Sequence, residues 1–160
     1  MFRNDLDRIS GLGYFGVFVV NMVASGTFFL PVPGLAAAFA AGGIWNPIAV
    51  GLAGALGSTI GELSGYLAGA SSQSAIGSRL RQSRWYNKLQ GWIERSGTLT
   101  LFIFAAVPNP LFDVAGFIAG SLKYHVGRFL FACGAGKAIK YVVVALAGYW
   151  GADVVLGWFS

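Results

Sequence analysis

The sequence predicts an all-α integral membrane protein, a single membrane domain over residues 1–160. The expected architecture is an inverted repeat with two opposed re-entrant helical hairpins, spanning helices and a basic amphipathic interfacial helix. Three observations lead there. Between Arg8 and Arg79 lie seventy residues with one charged side chain, Glu62, whereas a soluble surface must be wetted by charge. A two-proline pattern occurs twice within apolar sequence: Leu30-Pro31-Val32-Pro33-Gly34 running on to Ala41-Gly42-Gly43, and Val107-Pro108-Asn109-Pro110-Leu111 running on to Ala119-Gly120. Basic residues gather in one central insert that holds Arg79, Arg81, Arg84, Lys88 and Arg95.

Composition agrees with a membrane setting. The chain is 56% hydrophobic and has 24 glycines, and glycine is more frequent in membrane helices than in soluble ones. The net charge of +5 reads as a topology signal and an attraction to anionic lipid, not as a nucleic-acid footprint. One cysteine, Cys133, excludes an internal disulfide and any thiolate cluster. No spacing of metal ligands and no Ser/His/Asp or paired-aspartate motif supports an enzyme, a metal or another cofactor. Asp5 and Asp7 beside Arg3 and Arg8 argue against a cleavable signal peptide.

In order along the chain, residues 1–10 are polar and interfacial. Gly11 to Leu30 is long enough to cross a bilayer, or to run obliquely into a hairpin broken at Pro31, Pro33 and Gly34. Gly34 to Ile44 is too short to span at about 1.5 Å per residue, and Trp45-Asn46-Pro47 returns the chain to the interface. Ile48 to Gly69 spans. Gly57, Gly61, Gly65 and Gly69 recur every four residues, forming a small-residue ridge for close helix packing, and such a ridge leaves a homo-oligomer open. Residues 71–97 form the polar connector, where Ile76, Leu80, Trp85, Leu89, Trp92 and Ile93 alternate with basic residues as in a surface-lying helix. Thr98 to Val107 and Leu111 to Leu122 are the arms of the second hairpin, broken at Pro108-Asn109-Pro110. Val126 to Trp150 spans, and residues 151–160 form a short tail with Trp158 at an interface.

The repeats cover about 20–70 and 98–150. A shift of 77 lays Pro31 on Pro108, Pro33 on Pro110 and Gly43 on Gly120, while a shift of 79 lays Gly57 on Gly136 and Gly69 on Gly148. If each hairpin returns to its own side, one spanning helix separates the copies, which then enter from opposite faces. Lys123 and Arg128 fall on the side of residues 79–95, which the excess of Lys and Arg marks as cytoplasmic.

Ionisable residues inside a membrane are functional candidates by default, and four stand out: Glu62, Asp113, Lys137 and Lys140. Counting helical rise puts Glu62 about 10–12 Å deep, and Lys137 and Lys140 about 16–21 Å from the same side. Glu62 and Lys137 can therefore meet if their helices pack together, with Asp113 approaching from the second hairpin. Asn109 would bond either the backbone groups freed by its flanking prolines or a substrate. His125, the lone histidine, sits at headgroup level beside Tyr124.

Three pieces of sequence together resemble the DedA family, whose domain is also called VTT or "SNARE-associated Golgi protein". They are Pro31-Val32-Pro33-Gly34; Gly57-x-x-x-Gly61-Glu62-x-x-x-Tyr66-x-x-Gly69; and Pro108-Asn109-Pro110-Leu111-Phe112-Asp113 with Ala115-Gly116, Ala119-Gly120 and Gly136-Lys137. The likeness covers about residues 20–150. It implies two opposed re-entrant hairpins, the flipping or scrambling of lipids, including polyprenyl-phosphate carriers in bacteria, and the maintenance of proton-motive force; the expected location is a prokaryotic inner membrane. This chain departs from many bacterial members at Ser25-Gly26-Thr27, where they have glutamate, and at Ala70 and Ala105-Ala106, where they have arginine. Lys137 and Lys140 are the positive charges here. The expected function is lipid transport, with phosphate-bearing or anionic headgroups passing a polar cavity and room for proton or ion coupling. The alternative is a non-transporting scaffold that binds lipids or partner proteins through the glycine ridge and the basic segment.

Overall fold

The structure, a computed structural model, describes residues 2–26, 32–71, 78, 79, 81–108 and 111–159; at 2–9, 32, 111, 153, 155, 156, 158 and 159 it describes the backbone alone. Among these residues there are six long helices: α1 (Phe2–Gly26), α2 (Val32–Gly42), α3 (Pro47–Ser71), α4 (Arg84–Ala106), α5 (Leu111–Ser121) and α6 (Val126–Phe159). Two stretches are long and apolar enough to cross a membrane, Pro47–Ser71 and Val126–Ala152; Ser10–Gly26, Pro33–Gly42 and Phe112–Ser121 are shorter apolar helices.

Local chemistry sets the helix ends. Asn46 caps α3, its Oδ1 accepting from the Ile48 and Ala49 amides, and Pro47 occupies the first helical position, where its missing N–H is no loss. His125 does the same for α6: its Nδ1 accepts from the Gly127 amide. Pro33 lies in the first turn of α2, a place proline tolerates, so it starts a helix and does not break one. Gly34 is likewise inside α2. Val107, just before Pro108, is extended at φ −87° and ψ 134°, as steric clash with the following ring requires. Pro31, Asn109 and Pro110 lie outside the described residues.

A Schellman motif closes α5. The Tyr124 amide donates to Ala119 O and the Lys123 amide to Gly120 O, both at 2.9 Å, which puts Lys123 at φ 52°. A Cβ is disfavoured there. Lys123→Gly should stabilise the protein by about 0.5–1 kcal/mol, read as a higher melting temperature in detergent.

The basic segment is a helix from Arg84 to Arg95, separated from the apolar part of α4 by a break at Ser96 (φ −147°, ψ 54°). Tyr86, Leu89 and Ile93 are buried against the body, whereas Trp85 and Trp92 are 61% and 44% exposed. The expected single apolar face is thus two stripes: one docks on the protein, and the other presents tryptophans outward with Lys88 Nζ 5.8 Å from the Trp85 ring. Tyr86 hydroxyl meets Ser121 Oγ at 3.1 Å and Thr98 Oγ1 meets the Tyr124 hydroxyl at 2.6 Å. These contacts put the basic helix and the α5–α6 turn at one end of the molecule.

The first three helices and the last three make matching contacts. α1 packs on α3 as α4 packs on α6, and the second arm of each trio packs on the long helix of the other, α2 on α6 and α5 on α3. Single residues match as well. A Cβ at Gly57 would overlap Phe18 O on α1, and one at Gly136 would crowd Phe102 O on α4. Gly42 abuts Ala145 O and Gly148 abuts Phe39 O; correspondingly Gly120 abuts Tyr66 O and Gly69 abuts Phe117 O. The Trp45 ring covers Gly13, and the Tyr124 ring covers Gly97.

Three expectations need correction. Gly42, not Gly43, takes the place that Gly120 has, because backbone contact sets the register at 78 in these arms. The glycines of α3 do not serve one partner: Gly57 and Gly61 meet α1, and Gly69 meets α5. A four-residue step overshoots the 3.6-residue turn, so the ridge winds around the helix. Residues beyond Trp150 are not a loose tail; α6 continues as helix to Phe159, with no proline to stop it.

Candidate functional site

α3 and α6 run antiparallel. Gly51 faces Val142, Gly54 faces Tyr141, Ser58 faces Lys137, and Gly134 lies near Thr59. Tyr66 explains how residues counted to different depths meet. Its hydroxyl donates to the Tyr124 carbonyl, so α6 begins level with Tyr66 and not with the end of α3.

At the crossing, Lys137 Nζ is 3.0 Å from Glu62 Oε1, and both side chains are buried. The same ammonium donates to Ser58 Oγ at 2.6 Å and to Ser58 O at 3.0 Å, and it lies 5.1 Å from the centroid of the Phe112 ring. Its three protons are thus used on Glu62 and Ser58, with an aromatic face on another side. Ser25 Oγ meets Ser58 Oγ at 2.5 Å, and Tyr141 lines the same cavity as these two serines. The carboxyl group of Asp113 adjoins that of Glu62.

Ala24, Ser25, Leu35, Ser58, Glu62, Phe112, Asp113, Lys137, Lys140 and Tyr141 enclose a cavity of about 30 Å³, room for a water or two. It is far too small for a lipid headgroup as it stands. Two carboxyl groups and two ammoniums line it, contributed by α3, α5 and α6. Lys140 is half-buried, with its Nζ 5.7 Å from the Tyr141 ring.

All four predicted ionisable residues therefore meet in one place. Cys133 is fully buried in the neighbouring apolar core. Sequence reading missed Ser25, Ser58, Phe112 and Tyr141. A signal for two of them lay in the shift of 79, which pairs Ser58 with Lys137 and Glu62 with Tyr141. It also missed Asn21, which is fully buried. Asn21 Nδ2 donates to Val17 O at 2.8 Å, and its Oδ1 has no partner among the described residues. Gly34 makes room for that oxygen, since a Cβ there would collide with it. This is the structural reason for glycine at 34.

Residues 32–150 match the model of the VTT domain. The chain is 30% identical over 105 residues to the inner membrane protein YqaA of Escherichia coli strain K12, covering 66% of this chain and 69% of that one. It is 29% identical over 100 residues to the vacuole membrane protein KMS2 of Arabidopsis thaliana, covering 52% of this chain and 24% of that longer protein. No solved structure gives a significant match. The matched stretch runs from the first turn of α2 to Trp150 in α6 and takes in every ionisable residue of the cavity: the chain belongs to the VTT domain family.

Proposed function

We propose that the protein moves lipid between the two leaflets, with the headgroup passing the Glu62–Lys137 site. The observation that carries this reading is a buried ion pair whose ammonium is fully hydrogen-bonded, flanked by a second carboxyl and a second ammonium, where α3, α5 and α6 meet. Charges in a bilayer interior are expensive and mark pathways. A pair serving only packing would not need Asp113 and Lys140 beside it. The two extra groups offer an incoming phosphate an ammonium and an incoming cation or proton a carboxylate.

The matching contacts of the two helix trios support an inverted repeat, and the antiparallel crossing of α3 and α6 supports a pseudo-two-fold axis in the membrane plane. On this reading the axis passes near Ser58 and Lys137, which correspond under the shift of 79. The apolar part of α1 with α2, and the part of α4 beyond Ser96 with α5, are then re-entrant hairpins, and the site lies at the repeat interface, where transporters of this architecture bind. The basic helix and the turn carrying Lys123 and Arg128 share one end, which we assign to the cytoplasm; a prokaryotic inner membrane is the setting we propose, and the likeness to YqaA supports it. The 30 Å³ cavity is a closed state, so passage requires the hairpin arms α2 and α5 to move against the long helices.

Reconstituted into liposomes, the protein should speed exchange of a labelled phospholipid between leaflets over protein-free vesicles, and Glu62→Ala and Lys137→Ala should lower that rate. Exchange no faster than in empty vesicles would defeat the proposal.

A further inference from the structure

α2 and α5 are matched arms that are covered very differently. Phe39 and Phe117 correspond at the shift of 78, and the carbonyl of each lies against a glycine of the opposite long helix, Gly148 and Gly69. Yet Phe39 is 48% exposed and Phe117 is 2% exposed. The next residues differ in the same sense: Ala40 is exposed, whereas Ile118 is fully buried.

The cover over α5 is the basic helix. Tyr86, Leu89 and Ile93 share one buried core with Phe117 and Ile118, and the Tyr86 hydroxyl meets Ser121 Oγ. That helix is set apart from the rest of α4 by the break at Ser96, just before Gly97. Gly13 is the counterpart of Gly97, since the Trp45 ring covers the one as the Tyr124 ring covers the other. Its neighbour Leu12 lies within α1, which is helical from Phe2 to Gly26. The first trio therefore lacks the break that sets a separate helix over the arm, and Phe39 stays exposed.

What remains beside α2 is a groove of about 390 Å³, far larger than the central cavity. Phe39, Ala40, Gly43 and Ile44 form one wall, and Gly148, Gly151 and Ala152 of α6 form the other. Every side chain in it is hydrocarbon, and its glycines and alanines make it deep. By helical rise Gly148 lies about 33 Å from Val126, so the groove opens into the leaflet away from the basic helix.

We infer that this groove is a lipid site, in which an acyl chain of a phospholipid from that leaflet lies between α2 and α6. Its volume falls in the range of small-molecule sites, about 300–1,000 Å³. A helix of a second copy, about 10–12 Å across, would need the whole volume for a single turn. Resting on the rim, such a helix would leave the glycine floor without contacts. A stable interface between copies also takes about 20–30 residues a side, against seven here. A slender chain of methylenes reaches the floor. No charged group lines the groove, so it holds the chain and does not select the headgroup. It shares no residue with the Glu62–Lys137 cavity and stands independently of the transport reading.

Four proteins test this: wild type, Gly151→Leu, Ala40→Phe and Gly16→Leu. Each is reconstituted with phosphatidylcholine, whose neutral headgroup offers the basic helix no net charge, then extracted in dodecyl maltoside and weighed by native mass spectrometry. Gly151→Leu and Ala40→Phe fill the groove from opposite walls; a Cβ at 151 meets the Phe39 ring at 3.6 Å, an ordinary contact. Gly16 lies outside the groove, with nothing within 4 Å of a Cβ, and serves as control. Wild type and the control should carry a phospholipid. Both filled variants should carry about tenfold less of it, a loss of about 1.4 kcal/mol in binding. Phospholipid absent from wild type, or equal on all four proteins, overturns the inference. So does a wild-type dimer that the filled variants lose, which would make the groove a contact between copies.

Discussion

Replacing Lys137 with methionine while Glu62 remains is expected to destabilise the protein by about 3–5 kcal/mol, because it leaves a buried carboxylate without its ammonium. The carboxylate loses the 3.0 Å partner, and Ser58 loses a donor to both its hydroxyl and its carbonyl, keeping the Ser25 contact at its hydroxyl. Methionine is close to lysine in length and apolar, so packing against Phe112 survives and the loss is electrostatic. The discriminating comparison is the double variant Glu62→Gln, Lys137→Met. With no charge left to bury, it should return to within about 1.5 kcal/mol of wild type. Thermal melting of the four proteins in one detergent completes the cycle. A double variant as unstable as the single one would mean that the pair holds the helices together through its shape and not its charge.

The second large effect is steric. Gly120→Ala puts a Cβ into Tyr66 O and within 2.9 Å of Ala70 N, so backbone must yield on α3 or α5. Neither atom is a flexible side-chain end. The reciprocal contact of Gly69 with Phe117 O makes the crossing backbone-to-backbone on both sides. We expect a loss of about 3 kcal/mol or more, at the upper end of core overpacking. Gly91→Ala should act in the opposite direction. A Cβ at Gly91 has nothing within 4 Å, and an alanine in a helix interior is favoured over glycine by about 0.5–1 kcal/mol. The same substitution at two positions thus changes sign, and melting temperatures in one detergent read both. Equal effects at 91 and 120 would contradict the contact assignment.

Much of this arrangement is legible in the sequence because helices have a constant rise. Depth counting brings Glu62 and Lys137 to within a few residues' rise of each other, the Tyr66–Tyr124 contact removes the difference, and a charge in seventy apolar residues cannot be overlooked. Hydroxyls are different. Thr59 bonds Ala55 O and Ser71 bonds Leu67 O on their own helices, so a serine in an apolar run carries no information about whether it faces a site. Ser25 and Ser58 are recognisable only once α1 is laid against α3. The same holds for the glycines, whose four-residue spacing suggests one face although the winding of the helix divides them between α1 and α5. The caps Asn46 and His125 correspond at the shift of 79, as do Trp45 and Tyr124. The alignment on prolines and glycines passes over them because the residue types differ while the contacts agree.

The double variant Glu62→Gln, Lys137→Met also supplies the most direct test of the central claim, since it should fold yet lack the charges at the crossing of α3 and α6. Its rate of labelled-phospholipid exchange between liposome leaflets, measured beside wild type and empty vesicles, is the measurement to make. The account predicts that the folded double variant falls to the rate of empty vesicles while wild type stays well above it. Exchange by the double variant as fast as by wild type would contradict it.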